Sequence, residues 1–288
     1  LSDSVILTVV LSVSPQSWQT EGVSVTLNCE VRNSSAGWTF RWYRLLSDSS
    51  RGAGGSYTLS PAALHHTGVY VCSAVRREPA YQRQYSNLQP LWITDESPPA
   101  SLIISPSRTQ HFSGDSLSLS CEGQSDSAGW RLRRYTHSRR LSDCSSDWGS
   151  VTGSTCTIST INTSHSAVYW CQSESGGNSN PVNITVHIGG VILESPVYPV
   201  TEGDPLTLHC LLHPSTIQSE LRADFYKDGL FIQNQSAGKM IIHNASKSDE
   251  GFYHCKHPNR GTSPASSVSV RGKKALISLL SVIAFLYY

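Results

Sequence analysis

The chain has 288 residues, of which 38% are hydrophobic and only 15% charged, with 22 Lys and Arg against 21 Asp and Glu. A net charge of +1 argues against a dedicated nucleic-acid binder, which needs a basic excess to contact phosphates. Seven Trp, twelve Tyr and six Phe residues argue against intrinsic disorder, because rings of this size are buried in folded cores. The length accommodates two or three domains, and eight Cys in a chain rich in Ser and Thr predict a secreted or surface-exposed β protein.

An internal repeat divides the chain into three segments. Each repeat opens with a Gly turn and a strand of alternating apolar residues that ends in Cys, at Gly22–Cys29, Gly114–Cys121 and Gly203–Cys210. Each closes with Tyr two residues before a second Cys, at Tyr70–Cys72, Tyr169–Cys171 and Tyr253–Cys255. The copies are about 90 residues apart, which is close to one domain each.

A Tyr two residues before a Cys is typical of the tyrosine corner in an immunoglobulin sandwich, where that Cys bridges to strand B of the other sheet. The repeats therefore predict the disulfides Cys29–Cys72, Cys121–Cys171 and Cys210–Cys255. The predicted fold is all-β, with three tandem immunoglobulin-like β-sandwich domains and a short hydrophobic C-terminal segment. The predicted bounds are 1–95, 96–188 and 189–272 for the domains and 273–288 for the segment, which is basic and then apolar.

Two Cys residues, Cys144 and Cys156, are left over inside the second repeat. A local disulfide is the favoured interpretation, because a zinc pair with nearby His would need further ligands and no second C-x-x-C partner is present. Four disulfides require an oxidising compartment. The five N-x-S/T sequons agree with a glycosylated ectodomain, and they lie at Asn33, Asn162, Asn183, Asn234 and Asn244.

Local patterns predict several elements in chain order. The apolar run Val5–Val13 is interpreted as strand A, because a signal peptide would carry a basic n-region and a cleavage site. Trp42 is predicted to be the buried Trp that packs on the first disulfide. In the second repeat Arg134 is expected at the equivalent position, with either Trp130 packing from another angle or an atypical core. Asp228-Gly229 predicts a tight hairpin turn in the third repeat.

The chain ends in an apolar run, 275–288, after Lys273 and Lys274. Fourteen residues fall short of the roughly 20 that span a bilayer as a helix. A truncated transmembrane helix and the removable tail of a lipid-anchor signal are both open interpretations. A core strand is disfavoured, because the third domain is predicted to end near residue 271. Membrane attachment is therefore expected.

The sequence offers binding candidates rather than catalytic ones. It lacks a G-x-S-x-G elbow, an H-E-x-x-H helix and a phosphate-binding Gly loop, so no enzymatic activity, cofactor or metal is predicted. Tyr and Arg are enriched at binding hot spots, and both follow Cys72 in a long connection that contains Arg76, Arg77, Tyr81, Arg83 and Tyr85. The alternative for this connection is a long hairpin that packs on its neighbour.

A second basic stretch lies in the second repeat. Arg131 and Arg133 are its binding candidates, in a run that also contains Arg134, Arg139 and Arg140. The alternation of these residues with Trp130 and Leu132 makes a solvated face the default interpretation. A site for an anionic ligand is the alternative.

Several segments resemble the Fc receptor and Fc receptor-like family. These are Asp224–Gly229, Asn244–Cys255 and Ser263–Arg271, together with the twice-used Ser-Ala-Gly-Trp segment and the extra Cys pair. The resemblance covers residues 5–271 and implies a receptor on the extracellular face of the plasma membrane, or a secreted one if the apolar end does not anchor. It implies a protein ligand, with immunoglobulin Fc favoured, and signalling through a partner subunit in the membrane.

The resemblance also implies an Arg–Asp clamp across each sandwich. The Asp of that clamp survives only as Asp249, and His66 and His165 occupy its position in the other two repeats. The clamp is therefore in doubt for the first two domains.

The alternative function is an adhesion or soluble decoy module that binds another surface protein or an anionic glycan.

Overall fold

The computed structural model describes residues 8–32, 37–45, 50–76, 81–123, 129–213 and 222–273. Asn33, Arg77 and the apolar end 275–288 lie outside the described residues. The chain forms two compact units: unit 1 contains 1–105, 116–159 and 164–183, and unit 2 contains 106–115, 160–163 and 184–288. Within the described ranges no helix is long and apolar enough to cross a membrane.

The first sandwich lies in unit 1. Its strands are β1 (Thr8–Ser14), β2 (Trp18–Thr20), β3 (Val25–Arg32), β4 (Thr39–Arg44), β5 (Ser50–Ala53), β6 (Ser56–Leu59), β7 (Gly68–Arg76), β8 (Gln82–Tyr85) and β9 (Gln89–Thr94). One sheet has the order β1-β3-β6 and the other β2-β9-β7-β4-β5, with β8 paired to β7. Trp42 is fully buried in the core with Cys29 and Cys72, as the sequence predicts.

The second set of strands is divided between the units. It comprises β10 (Ala100–Ser105), β11 (Gln110–Phe112), β12 (Leu117–Gly123), β13 (Arg131–Thr136), β14 (Leu141–Asp143), β15 (Ser150–Thr152), β16 (Thr155–Ile158), β17 (Ala167–Gln172) and β18 (Val182–His187). Unit 1 holds a sheet of order β10-β12-β16-β15 and the neighbours β17-β13-β14. In unit 2, β11 pairs in parallel with the last residues of β18.

The third sandwich lies in unit 2. Its strands are β19 (Val191–Glu194), β20 (Val200–Thr201), β21 (Leu206–Leu212), β22 (Ala223–Lys227), β23 (Leu230–Gln235), β24 (Lys239–Ile242), β25 (Gly251–His257), β26 (Gly261–Thr262), β27 (Ser266–Val268) and β28 (Val270–Arg271). Sheets of order β19-β21-β24 and β23-β22-β25-β26 enclose a core around Phe225, Cys210 and Cys255. Asp228 and Gly229 both have positive φ, 51° and 80°, in the predicted hairpin turn between β22 and β23.

The repeated Tyr and Cys residues do what the tyrosine-corner pattern predicts. The disulfides are Cys29–Cys72, Cys121–Cys171, Cys210–Cys255 and the local Cys144–Cys156. The hydroxyls of Tyr70, Tyr169 and Tyr253 each donate to the carbonyl four residues earlier, at 2.6–2.7 Å. The predicted all-β fold of three immunoglobulin-like sandwiches is confirmed, while the residue bounds of its domains remain a prediction.

The expected position of Arg134 is wrong. Trp42 is opposite Cys72 in the strand register, and its counterpart in the second sandwich is Leu132, which is opposite Cys171. Arg134 is opposite Tyr169, as Arg44 is opposite Tyr70. The connection between the first Cys and the core residue is two residues shorter in the second repeat, so counting from the Cys places the core two residues too late.

Another Trp packs against Tyr169 and Arg134 in the second sandwich. Trp148 follows β14, is nearly buried, and lies 6.1 Å from the ring of Tyr169 between ring centroids. Its indole donates to the carbonyl of Asp143 at 2.8 Å, and the Arg134 guanidinium stacks 3.9 Å from its ring centroid. The extra disulfide lies beside this Trp: a Cβ on Gly149 would be only 2.7 Å from the Cys156 sulfur.

A short 3-10 turn precedes β7 in the first sandwich and β25 in the third. In the first sandwich His66 occupies the position that Asp249 has in the third. Asp249 accepts a hydrogen bond from the Ser246 N–H at 2.8 Å, and His66 Nδ1 accepts the corresponding bond from the Ala63 N–H at 2.8 Å. The basic residue of the neighbouring strand donates to a backbone carbonyl of the turn, from Arg44 in one case and from Lys227 in the other. An imidazole therefore replaces a carboxylate as the cap of the turn.

Candidate protein-binding surface

The β7–β8 hairpin of the first sandwich carries the described binding candidates that follow Cys72. Strand register pairs Arg76 with Gln82, Val75 with Arg83 and Ser73 with Tyr85. Successive side chains of a strand point to opposite faces. The hairpin therefore divides its candidates: Arg76 lies on the side of the core, and Arg83 and Tyr85 lie on the outer face of the sheet.

Arg76 is held at the rim of the sandwich core. Its guanidinium carbon lies 5.0 Å from the ring centroid of Trp38, and its Nη2 donates to the side chain of Gln82 at 3.1 Å. Trp38 itself packs against the hydrophobic core of the sandwich. Arg76 thus has a structural role in fixing the last residue pair of the hairpin before its connecting loop, and it is only partly exposed.

The outer face carries a second stack. Arg83 Nη2 donates to the Tyr43 hydroxyl at 3.0 Å, and the Arg83 guanidinium carbon lies 4.9 Å from the ring centroid of Tyr85. Tyr85 and Tyr81 are 56% and 68% exposed. We call Tyr43, Tyr81, Arg83 and Tyr85 the outer arginine–tyrosine patch. The patch covers its sheet, because the outward-facing Ser73 between these strands is completely buried.

Sequence reasoning missed the contribution of β4 to this patch. Tyr43 and the exposed Arg41 alternate with the buried Trp42, so strand periodicity alone places them on the outer face. Their proximity to the hairpin follows only from the pairing of β4 with β7 and of β7 with β8. A prediction from the sequence would have needed that strand order.

The two basic candidates of the second repeat differ in environment. Arg131 is exposed and pairs with the exposed Glu174 at 2.8 Å, a contact that contributes little to stability. Arg133 has a side chain only 15% exposed and lies 3.4 Å from Asp143. Burial lowers the pKa of Arg133, Asp143 opposes this shift, and Arg131 and Arg44 reinforce it. Arg133 lies on the same face of β13 as Arg131, because residues two apart on a strand share a face, but Arg133 is largely covered there and Arg131 is exposed to solvent.

Immunoglobulin-domain family models match residues 9–75 and 190–271, which together are more than half of the chain. The chain therefore belongs to the immunoglobulin superfamily. Its relatives within that superfamily are named as Fc receptors and Fc receptor-like proteins, so the resemblance that the sequence indicates is confirmed. The named relatives are receptors of non-enzymatic families.

Three relatives show the level of similarity. The chain is 25% identical to human Fc receptor-like protein 5 over 292 residues, which covers 92% of the chain and 29% of that protein. It is 26% identical to the low affinity immunoglobulin gamma Fc region receptor III-A of Sus scrofa over 204 residues, which covers 65% of the chain and 70% of that receptor. It is 33% identical to human Fc receptor-like B over 89 residues, 31% of the chain and 20% of that protein.

Proposed function

We propose that the chain is the extracellular part of a cell-surface immune receptor that binds a protein ligand without catalysis, through the outer arginine–tyrosine patch. The observation that carries this proposal is the fixed geometry of Arg83 between the Tyr43 hydroxyl and the Tyr85 ring. Arg and Tyr are enriched among residues that dominate binding energy. Side chains that are ordered before binding lose less conformational entropy when the complex forms.

Immunoglobulin is the favoured ligand class. The support is the kinship with proteins named as immunoglobulin gamma Fc region receptors, and it comes to this chain as a proposal. The patch is suited to a protein surface because it combines flat exposed rings with one charged, bidentate donor. The antibody class is a question for the experiment below.

We further propose that the receptor is attached to the plasma membrane and signals through a partner subunit. The support for attachment is the apolar sequence of residues 275–288 after Lys273 and Lys274. The support for a partner subunit is the kinship with Fc receptors. Secretion as a decoy is the alternative that a cell-surface labelling experiment would reveal.

Removing the patch side chains is expected to weaken immunoglobulin binding. Surface plasmon resonance with the whole chain and purified IgG and IgM of the source organism would give the affinities. Arg83→Ala and Tyr85→Ser should each raise Kd by about tenfold or more, the effect of losing a central hot-spot residue. Both residues are exposed, so the fold should be retained.

Arg131→Ser is the matched control, because it removes another exposed Arg, from the second repeat. Its Kd should stay within about twofold of the wild type. No saturable binding to either immunoglobulin would contradict the antibody proposal. Heparin binding that disappears in the triple variant Arg131→Ser, Arg133→Ser, Arg139→Ser would instead support the adhesion or decoy function.

A further inference from the structure

The outer face of the third sandwich carries a row of exposed and half-buried rings across three strands. Strand register aligns Phe231 of β23, Tyr226 of β22 and His254 of β25. The Tyr226 and His254 rings are stacked, 4.7 Å apart and 3° from parallel, and Phe231 meets Tyr226 edge-on at 5.7 Å. Phe231 and the adjacent Phe252 are 58% and 59% exposed. We call Phe231, Tyr226 and His254 the aromatic row.

The aromatic row reaches the edge of its sheet. β23 is the outermost strand, and it exposes Leu230 to 74% and Ile232 to 40% as well as Phe231. An exposed apolar edge strand invites pairing with other chains, and natural proteins cover or interrupt such edges. The aromatic row and the β23 edge are therefore expected to be covered by another group.

The sequon of Asn234 lies on the same face, one row away. Asn234 is opposite Asp224 in the register and is exposed, and its side-chain amide donates to an Asp224 carboxylate oxygen. Asp224 and Tyr226 are two residues apart on β22, so they share a face and lie about 7 Å apart along the strand. A sugar linked to Asn234 thus starts beside the aromatic row.

We propose that an N-linked glycan on Asn234 packs its first sugars on the aromatic row and shields the β23 edge. An N-glycosylated amide retains one N–H, which preserves a donor to Asp224. Sugar rings present faces of C–H groups, whose partially positive hydrogens complement the negative face of an aromatic ring, and Phe231 is the most exposed ring of the row. In this arrangement a glycan attached to the chain itself covers the apolar surface.

This proposal requires only that the chain enter the secretory pathway, and it does not depend on immunoglobulin binding. The two proposals therefore fail separately. Binding is measured at the first sandwich, and the glycan is measured at the third.

The test is amide hydrogen exchange of β22 and β25 in the whole chain, expressed in glycosylating cells with Asn234 occupancy verified by peptide mass. Ser236→Ala removes the sequon and leaves the Asn234–Asp224 hydrogen bond in place. Amide exchange in these strands is expected to be roughly two- to tenfold faster in Ser236→Ala, the size of one aromatic contact. Trimming the wild-type glycan to its first sugar should preserve the slow exchange.

The ring dependence separates packing from a general effect of glycosylation. In a Phe231→Ser background, which removes an exposed ring, adding Ser236→Ala should change exchange much less than in the wild type. Asn183→Gln is the matched control, since it removes another predicted glycan and should leave β22 and β25 unchanged. The proposal is overturned if Asn234 is unoccupied, if Ser236→Ala leaves exchange unchanged, or if its effect is equal in both backgrounds.

Discussion

Replacement of Trp92 by Ala is expected to lower the free energy of unfolding of unit 1 by about 3–5 kcal/mol, the usual cost of removing a large buried ring. Trp92 ends the first sandwich on β9 and is 4% exposed. Its ring centroid lies 5.1 Å from Trp170 and 6.1 Å from Tyr135, both of which belong to the second set of strands. These rings form a separate hydrophobic cluster with Val69 and Val168.

Because these rings pack together, the first two repeats are expected to unfold cooperatively. Polar contacts accompany the ring packing: the side-chain amide of Asn180 donates to the carbonyl of Asp95 at 2.7 Å, and its oxygen accepts from the Asp95 N–H at 2.9 Å. With the cluster intact, unit 1 is expected to unfold in a single transition. Without the Trp92 ring, the strands on either side should separate into two transitions of different midpoint.

Urea unfolding followed by far-UV circular dichroism would measure both effects. The matched control is Trp18→Ala, because Trp18 is the neighbour of Trp92 in the parallel pair β2–β9 but is 37% exposed. Its cost should stay below about 1 kcal/mol, as for a surface substitution. Equal costs for the two variants, with one transition in each, would show that the Trp92 cluster does not join the repeats.

The sequence predicts the parts of the fold that repeat locally. The Gly turn and the alternating strand lie within the seven residues before the first Cys of each repeat. The Tyr-x-Cys motif contains the second Cys. Three copies therefore suffice to pair Cys29 with Cys72 and its two counterparts. The tyrosine hydroxyls bond four residues away, and so they depend on the same short stretch.

The parts that were missed depend on register between distant strands. Leu132 takes the place of Trp42 because the preceding connection is two residues shorter, which alignment on Cys121 cannot reveal. Trp148 packs beside Tyr169 from a segment that no repeat motif marks.

The candidate site shows the same limit. Arg83 and Tyr85 are recognisable by residue type, but their partner Tyr43 is 40 residues from Arg83 and lies two strands away in the sheet. The aromatic row of the third sandwich likewise combines β23, β22 and β25. Residue type and local period are visible in a sequence, whereas cross-strand neighbours follow from pairing.

Mild acid is expected to destabilise unit 2 because of His111. This residue is completely buried on β11, and its Nε2 lies 2.9 Å from the carbonyl oxygen of Arg108, which fixes the N–H on Nε2. Its Nδ1 is buried with no hydrogen-bond partner among the described residues. The pKa of His111 is lowered to about 4, mainly by burial and secondarily by the charge of Arg108, against the opposing effects of its backbone hydrogen bond and of Asp115.

The direction of the pH dependence follows from the pKa of His111 in the unfolded and in the folded chain. In the unfolded chain the imidazole titrates near its ordinary value of 6.5, and in the folded chain near 4. Between these values only the unfolded state binds the proton, so stability is complete above pH 6.5 and falls as the pH falls toward 4. The loss over this window is about 3 kcal/mol. Burial also lowers the pKa of His187, which adds to the loss in the same direction.

Urea midpoints of the whole chain between pH 7.5 and 4.5 test this prediction, with the readout on the transition that includes the third sandwich. His111→Gln keeps an N–H donor for the Arg108 carbonyl and cannot take up a proton, so its unfolding free energy should vary much less over the window. His243→Gln removes an exposed imidazole and should keep the wild-type slope. A His111→Gln slope equal to that of the wild type would mean that the acid sensitivity of unit 2 has another source, and His187 would be the next residue to replace.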